Sequence, residues 1–342
     1  MKHTTRGIEA MGNTSKTSKK IRFLAGLVAV LALIYAGTLI FEPEQVNSRN
    51  ASLVWLDAKW QDQADSIEIR GPGEATPLTL IRKNNAWFVS RDDREYPAKQ
   101  ARIDDFLRLL TTRGTYPVRG SEAASHERLG LTEDTASRLI IRAGASAYPL
   151  VDLFIGHGDV TGSEVYLRKN NQHEVRSGKA SFSTYIASPP TAWLNLRLFP
   201  EHENQGLTVA AVQRVTVIAP AKPTAEEGAD GTPGSPLILG RNAGGWTVNG
   251  TPGTDAPRVE SYIRSILDAE GEDFIATMQV TDPVFNEGRI TLELGNGLTR
   301  TISIGPALES NRRNAVVSGG AFVHALAGWT VERIFKDAAY FE

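Results

Sequence analysis

The 342-residue chain contains no cysteine and only three methionines. Lacking cysteine, it has no disulfides, no thiolate metal ligands and no thiol nucleophile. Also absent are HExxH, GxSxG, SxxK, the GxxxxGK[ST] phosphate loop and GxGxxG. Its six histidines, His3, His126, His157, His173, His202 and His324, are scattered and form no helical ligand pair. No metal and no cofactor are expected. The chain also lacks bulk positive charge. The tail 1–22 carries six Lys and Arg against Glu9, a local +5, so a total of −2 leaves −7 on residues 23–342. A mildly acidic body argues against nucleic acid as a partner.

One long run is uncharged. Phe23–Phe41 is 19 apolar or small residues behind the basic tail. As a helix rising ~1.5 Å per residue it approaches the ~30 Å of a bilayer core. The positive-inside rule keeps the tail cytoplasmic and exports the body, giving a single-pass protein of a bacterial inner membrane with a periplasmic body. The rival is a cleaved signal peptide. Cleavage after Ala36 or Gly37 would place Leu33 or Ile34 at the small upstream position, a poor match. The reading is therefore a basic tail at 1–22, a transmembrane helix at 23–41 and a stalk at 42–52, with Pro43 ending the helix.

The body reads as two copies of one pattern. Ser66–Arg70, Leu78–Ile81 and Asn85–Val89 alternate as strands, followed by a helix in which Ile103, Phe106, Leu107 and Leu110 fall at i, i+3, i+4, i+7. Arg138–Arg142 and Leu150–Ile155 follow as strands. Arg214–Ile218, Pro236–Leu239, Gly245–Val248, a helix at Arg258–Leu267, Arg289–Glu293 and Thr301–Gly305 answer them in order. Trp87 and Trp246 open equivalent strands. The fold class predicted is α+β: an N-terminal transmembrane helix, then two tandem antiparallel sheet-plus-helix repeats at 53–200 and 201–342. A Pro, Gly and acid-rich insertion at 219–235 reads as a mobile surface loop, and Pro189–Pro200 as a packed connector.

Several motifs together resemble the bacterial envelope family catalogued as domain of unknown function 4340. They are the anchor, Asp65-Ser66-Ile67-Glu68-Ile69, the Trp87 strand, Tyr96-Pro97-Ala98, Arg128-Leu129-Gly130-Leu131-Thr132 and Phe154-Ile155-Gly156 leading to Glu164-Val165-Tyr166-Leu167. The resemblance covers about Leu53–Leu198 and is fainter beyond. It implies a protein associated with gliding-type ABC transporter components, and it supplies no catalytic group.

Four residues are candidate partner or ligand contacts. Trp55 and Trp60 lie near the stalk, where aromatics suit an interface. His157 and Asp159 sit in Ile155-Gly156-His157-Gly158-Asp159, where glycines flank a base and a carboxylate. A turn accounts for them better, since the second copy keeps Gly305 and has Pro306 and Ala307 in place of the polar groups. No catalytic residue is assigned. The expected function is a non-enzymatic, membrane-anchored periplasmic interaction component beside an ABC permease and ATPase. One alternative is a ligand-binding module for an envelope glycan or lipid fragment, using the cleft between repeats. The other is an envelope hydrolase, which no local pattern supports.

Overall fold

Alternating apolar residues pair into two nine-stranded antiparallel sheets. The computed structural model describes residues 14–40, 52–144, 146, 148–200, 206–220, 235–252 and 255–341, with the side chains of 14–22 and 38–40 excepted. Helix α1 is Thr14–Ile40. In the first half come β1 (Ser52–Leu53), β2 (Ser66–Arg70), β3 (Leu78–Lys83), β4 (Ala86–Arg91), β5 (Arg94–Pro97) and α2 (Gln100–Thr111). Then follow β6 (Gly114–Thr115), β7 (Val118–Gly120), α3 (Ala124–Arg128), β8 (Ser137–Arg142), β9 (Val151–Gly158), β10 (Glu164–Lys169), β11 (Val175–Lys179) and α4 (Ser181–Ile186). The second half holds β12 (Val212–Ile218), β13 (Leu237–Asn242), β14 (Gly245–Val248), β15 (Thr251–Pro252), α5 (Ala256–Leu267) and β16 (Asp273–Phe274). It ends with β17 (Gly288–Leu294), β18 (Thr299–Ala307), β19 (Arg313–Val317), β20 (His324–Leu326) and α6 (Gly328–Ile334).

The sheet orders are β5-β4-β3-β2-β8-β9-β10-β11-β7 and β15-β14-β13-β12-β17-β18-β19-β20-β16. They match strand for strand, and α2 and α4 of the first half are answered by α5 and α6 of the second, while α3 has no counterpart after β16. Details repeat too. Arg82 on β3 donates to the Asp62 carbonyl at 2.7 Å, and Arg241 on β13 reaches the Ala210 carbonyl at 3.4 Å, each bracing the segment before its central strand. A 3-10 turn closes each core: Trp193 meets Phe106 of α2 edge-on at 5.6 Å, and Phe341 meets Tyr262 of α5 at 5.3 Å. Trp87 and Trp246 are both buried.

Helix α2 buries the predicted Ile103, Phe106, Leu107 and Leu110 against its sheet, each contributing about 1.5–3 kcal/mol. Its carbonyl at Leu110 accepts from the amides of Trp55 and Leu56, which satisfies a helix end otherwise left bare. The β3–β4 and β4–β5 hairpins turn at Asn84-Asn85 and Asp92-Asp93, all four with positive φ between 51° and 64°. That geometry suits a tight two-residue turn, which Asn and Asp tolerate.

The N-terminal helix covers nearly all of the expected 23–41 run and extends further toward the N-terminus. It begins at Thr14, so the basic residues from Lys16 to Arg22 are helical as well. Among the described residues no helix is long and apolar enough to cross a membrane. The end of the expected stalk, Ser52, instead pairs with Thr115 in a small sheet. Tail residues 1–13, most of the stalk and 221–234 of the predicted insertion lie outside the described residues.

The two halves are sewn together. Connector residues run between them, the Asn195 amide donating to the Pro97 carbonyl at 2.8 Å and the Leu198 amide to the Ala269 carbonyl at 2.9 Å. Phe274 of β16 leaves its own sheet's core and enters the first, stacked on Tyr96 at 5.1 Å and 12°. Phe322 covers both rings.

Candidate functional site

A groove of about 840 Å³ opens beside this seam, larger than a hollow of about 640 Å³ on the second sheet. Its floor is apolar. Ile69 at the end of β2, Leu78 at the start of β3, Val89 on β4 and Ile186 at the end of α4 line it. The alternation of the strands aims these side chains at one face. Its rim is acidic, formed by Glu74 in the β2–β3 turn and by Asp92 and Asp93 in the β4–β5 turn, all exposed. Glu74 accepts from the Gly71 amide at 2.9 Å and folds over its own turn. Pro189 and Pro190, at the start of the connector, form the remaining wall.

Arg91 belongs to both groove and seam. Its Nη1 donates to Asp273 at 2.9 and 3.2 Å, and its Nη2 donates to the Phe274 carbonyl at 3.1 Å. The guanidinium also lies over the Tyr96 ring, 5.0 Å from its centroid. A segment bound in the groove would therefore touch the residue that clamps one half to the other.

The four residues singled out from sequence occupy two other regions. Trp55 is buried, edge-on to Tyr116 and Phe182 at 5.1 and 6.5 Å. Trp60 is half-buried and packs on the same core, with Lys59 over its ring. His157 is exposed at the end of β9 and covers Gly130. Asp159 organises its turn, accepting from the amides of Ser163 at 2.8 Å and Glu164 at 2.9 Å. The Thr161 hydroxyl and those amides hold its carboxyl down at about 2.

The glycine-flanked motif has a packing reason. A Cβ at Gly156 would overlap the Leu129 carbonyl oxygen, which accepts from the His157 amide at 3.0 Å. Arg168 reaches over to donate to the Leu131 carbonyl at 3.0 Å. Arg128–Thr132 and Phe154–Gly156, separate in sequence, thus form one lock. Among the described residues no three His, Asp or Glu side chains gather as metal ligands.

The family model described as Domain of unknown function (DUF4340) matches residues 87–287, more than half of the chain. The chain belongs to the DUF4340 family. The match starts at Trp87 on β4, runs through the α2 helix and the lock and crosses the seam to the strand β17, so it begins later and reaches further than the motifs quoted above. In this DUF4340 protein the matched span holds Arg91, Tyr96, Asp273 and Phe274, the residues that join the halves. No curated protein matches the chain, and no solved structure does.

The groove residues carry little sequence signal. Asp92-Asp93 reads as a charged turn, and nothing local announces that the end of α4 lies opposite it. Turns 71–77 and 92–93 become one rim only when β2, β3 and β4 are side by side.

Proposed function

We propose that this chain is a non-enzymatic interaction component, and that its groove receives an extended segment of a partner protein. The observation behind this is the pairing of an apolar floor with a carboxylate rim, Glu74, Asp92 and Asp93, around a wall residue that also clamps the seam. That chemistry suits a segment with apolar side chains and a positive charge. The partner in this reading is an ABC-type permease with its ATPase, and the chain is its auxiliary or scaffold. The family resemblance motivates that choice. The reading places the protein in a bacterial inner membrane, with Phe23–Phe41 as the anchor and the body in the periplasm. It is supported by the exposure of Phe23, Leu24, Leu33 and Ile34 along α1, each more than half open to solvent.

Affinity purification of the full chain from detergent-solubilised membranes tests this. Permease or ATPase subunits should be recovered, and Glu74→Gln with Asp92→Asn and Asp93→Asn should cut that recovery roughly tenfold. Repeated recovery of the chain alone would sink the reading.

A second reading keeps the space between the halves as a binding site for an envelope glycan or lipid fragment. A cavity of about 250 Å³ there, touched by Arg197, Phe274, Phe322 and His324, favours it. Sites for drug-sized ligands are roughly 300–1,000 Å³, so this one suits a fragment. Replacing Phe322 with Trp should fill it and abolish such binding.

A further inference from the structure

The last helix and turn of the second half carry exposed aromatics beside unpaired cations. Trp329 on α6 is 62% exposed and Tyr340 is 42% exposed. The Arg333 guanidinium lies 5.0 Å from the Trp329 ring centroid, and Lys336 and Arg258 lie 5.2 and 5.8 Å from that of Tyr340. Among the described residues none of these three cations forms an ion pair, and Arg333 Nε is buried with no partner. Trp329, Arg333, Lys336 and Tyr340 line a hollow of about 320 Å³, walled also by Ser261, Ser265 and Glu332.

The first half serves as an internal control. Aligning Ile186 with Ile334 and Trp193 with Phe341 puts Ser181 opposite Trp329 and Ala192 opposite Tyr340. Both halves close their cores with the same helix and 3-10 turn, so the fold does not require the exposed aromatics. Arg258 tells the same story. Its equivalent, Arg102, also lies over rings, those of Tyr185 and Trp193 at 5.0 and 4.8 Å, but in addition donates to the Thr184 carbonyl at 3.0 Å and to Ser188 Oγ at 2.6 Å. Arg258 keeps only the ring contact, with Tyr340.

We infer that this hollow binds an anionic saccharide. The C–H face of a pyranose lies on the exposed parts of Trp329 and Tyr340, where the electron-rich ring faces attract it. The sugar's carboxylate or phosphate takes Arg333 and Lys336, cations with no competing carboxylate bonded to them. Glu332 and the Ser261 hydroxyl accept from sugar hydroxyls. An anionic bilayer surface is the less suitable occupant, because the site contains Glu332 and sits on a body of net charge −7 by the count above.

A glycan array probed with the detergent-solubilised full chain tests this, using uronic-acid, sialylated and phosphorylated saccharides beside their neutral parents. Acidic members should retain the protein. Trp329→Ala, and Arg333→Gln with Lys336→Gln, should each lower that signal roughly tenfold at unchanged melting temperature. No signal, equal signal on neutral parents, undiminished variants, or binding only to phosphatidylglycerol vesicles would overturn the inference.

Discussion

Arg91 and Asp273, 182 positions apart in sequence, meet at 2.9 and 3.2 Å and tie the first sheet's hairpin to the edge of the second. Both side chains are mostly shielded, so removing one partner strands the other. Arg91→Ala should lower unfolding free energy by about 1–3 kcal/mol in urea titration. An unchanged midpoint would show the clamp to be idle.

The 3-10 closures offer a test of equivalence. Trp193→Ala and Phe341→Ala should each cost about 3–5 kcal/mol, the range for deleting a buried aromatic. Hydrogen exchange should rise first in β2–β11 for Trp193→Ala and in β12–β20 for Phe341→Ala. Loss of protection in the opposite half would contradict the assignment.

Gly130 has φ of +67°, and a Cβ there would lie 2.5 Å from the His157 ring. Gly130→Ala should cost about 1–3 kcal/mol. Adding His157→Ala removes the collision but leaves the unfavourable backbone, so the double variant should recover only part of the loss. Full recovery would mean that the ring alone imposes the constraint.

His324 titrates at about 4, lowered by burial and partly restored by a hydrogen bond to the Leu196 backbone. The unfolded chain takes up this proton near pH 6.5, before the folded protein does. Its contribution is therefore complete above pH 6.5 and is lost as pH falls toward 4, to a total of about 3 kcal/mol. Urea midpoints between pH 4 and 7 should slope accordingly, and His324→Gln should flatten that slope. A parallel slope in the variant would assign the effect elsewhere.

Local patterns made much of the fold legible. The i, i+3, i+4, i+7 spacing of α2, the alternation in β2 and β17 and the duplicated order all rest on contacts within a few residues or on one sheet face. Edge strands such as β7 and β16 were not legible, being three and two residues long and defined by their neighbours. Neither was the role of Phe274, since nothing near it in sequence indicates that it packs on Tyr96. His157 and Asp159 showed in sequence as a suggestive pair among glycines, and only the approach of Leu129 gives the reason for Gly156. The groove was invisible because its rim comes from two turns and its wall from α4.

Phe274 also bears on the order in which the chain becomes a protein. The N-terminal core contains a ring made only after the connector, α5 and the start of the second half have been synthesised. Until then the slot against Tyr96 stays open, exposing apolar surface on an otherwise formed half. The first repeat therefore waits for the second, and a chain halted before β16 would be a target for quality control rather than a half-sized working unit.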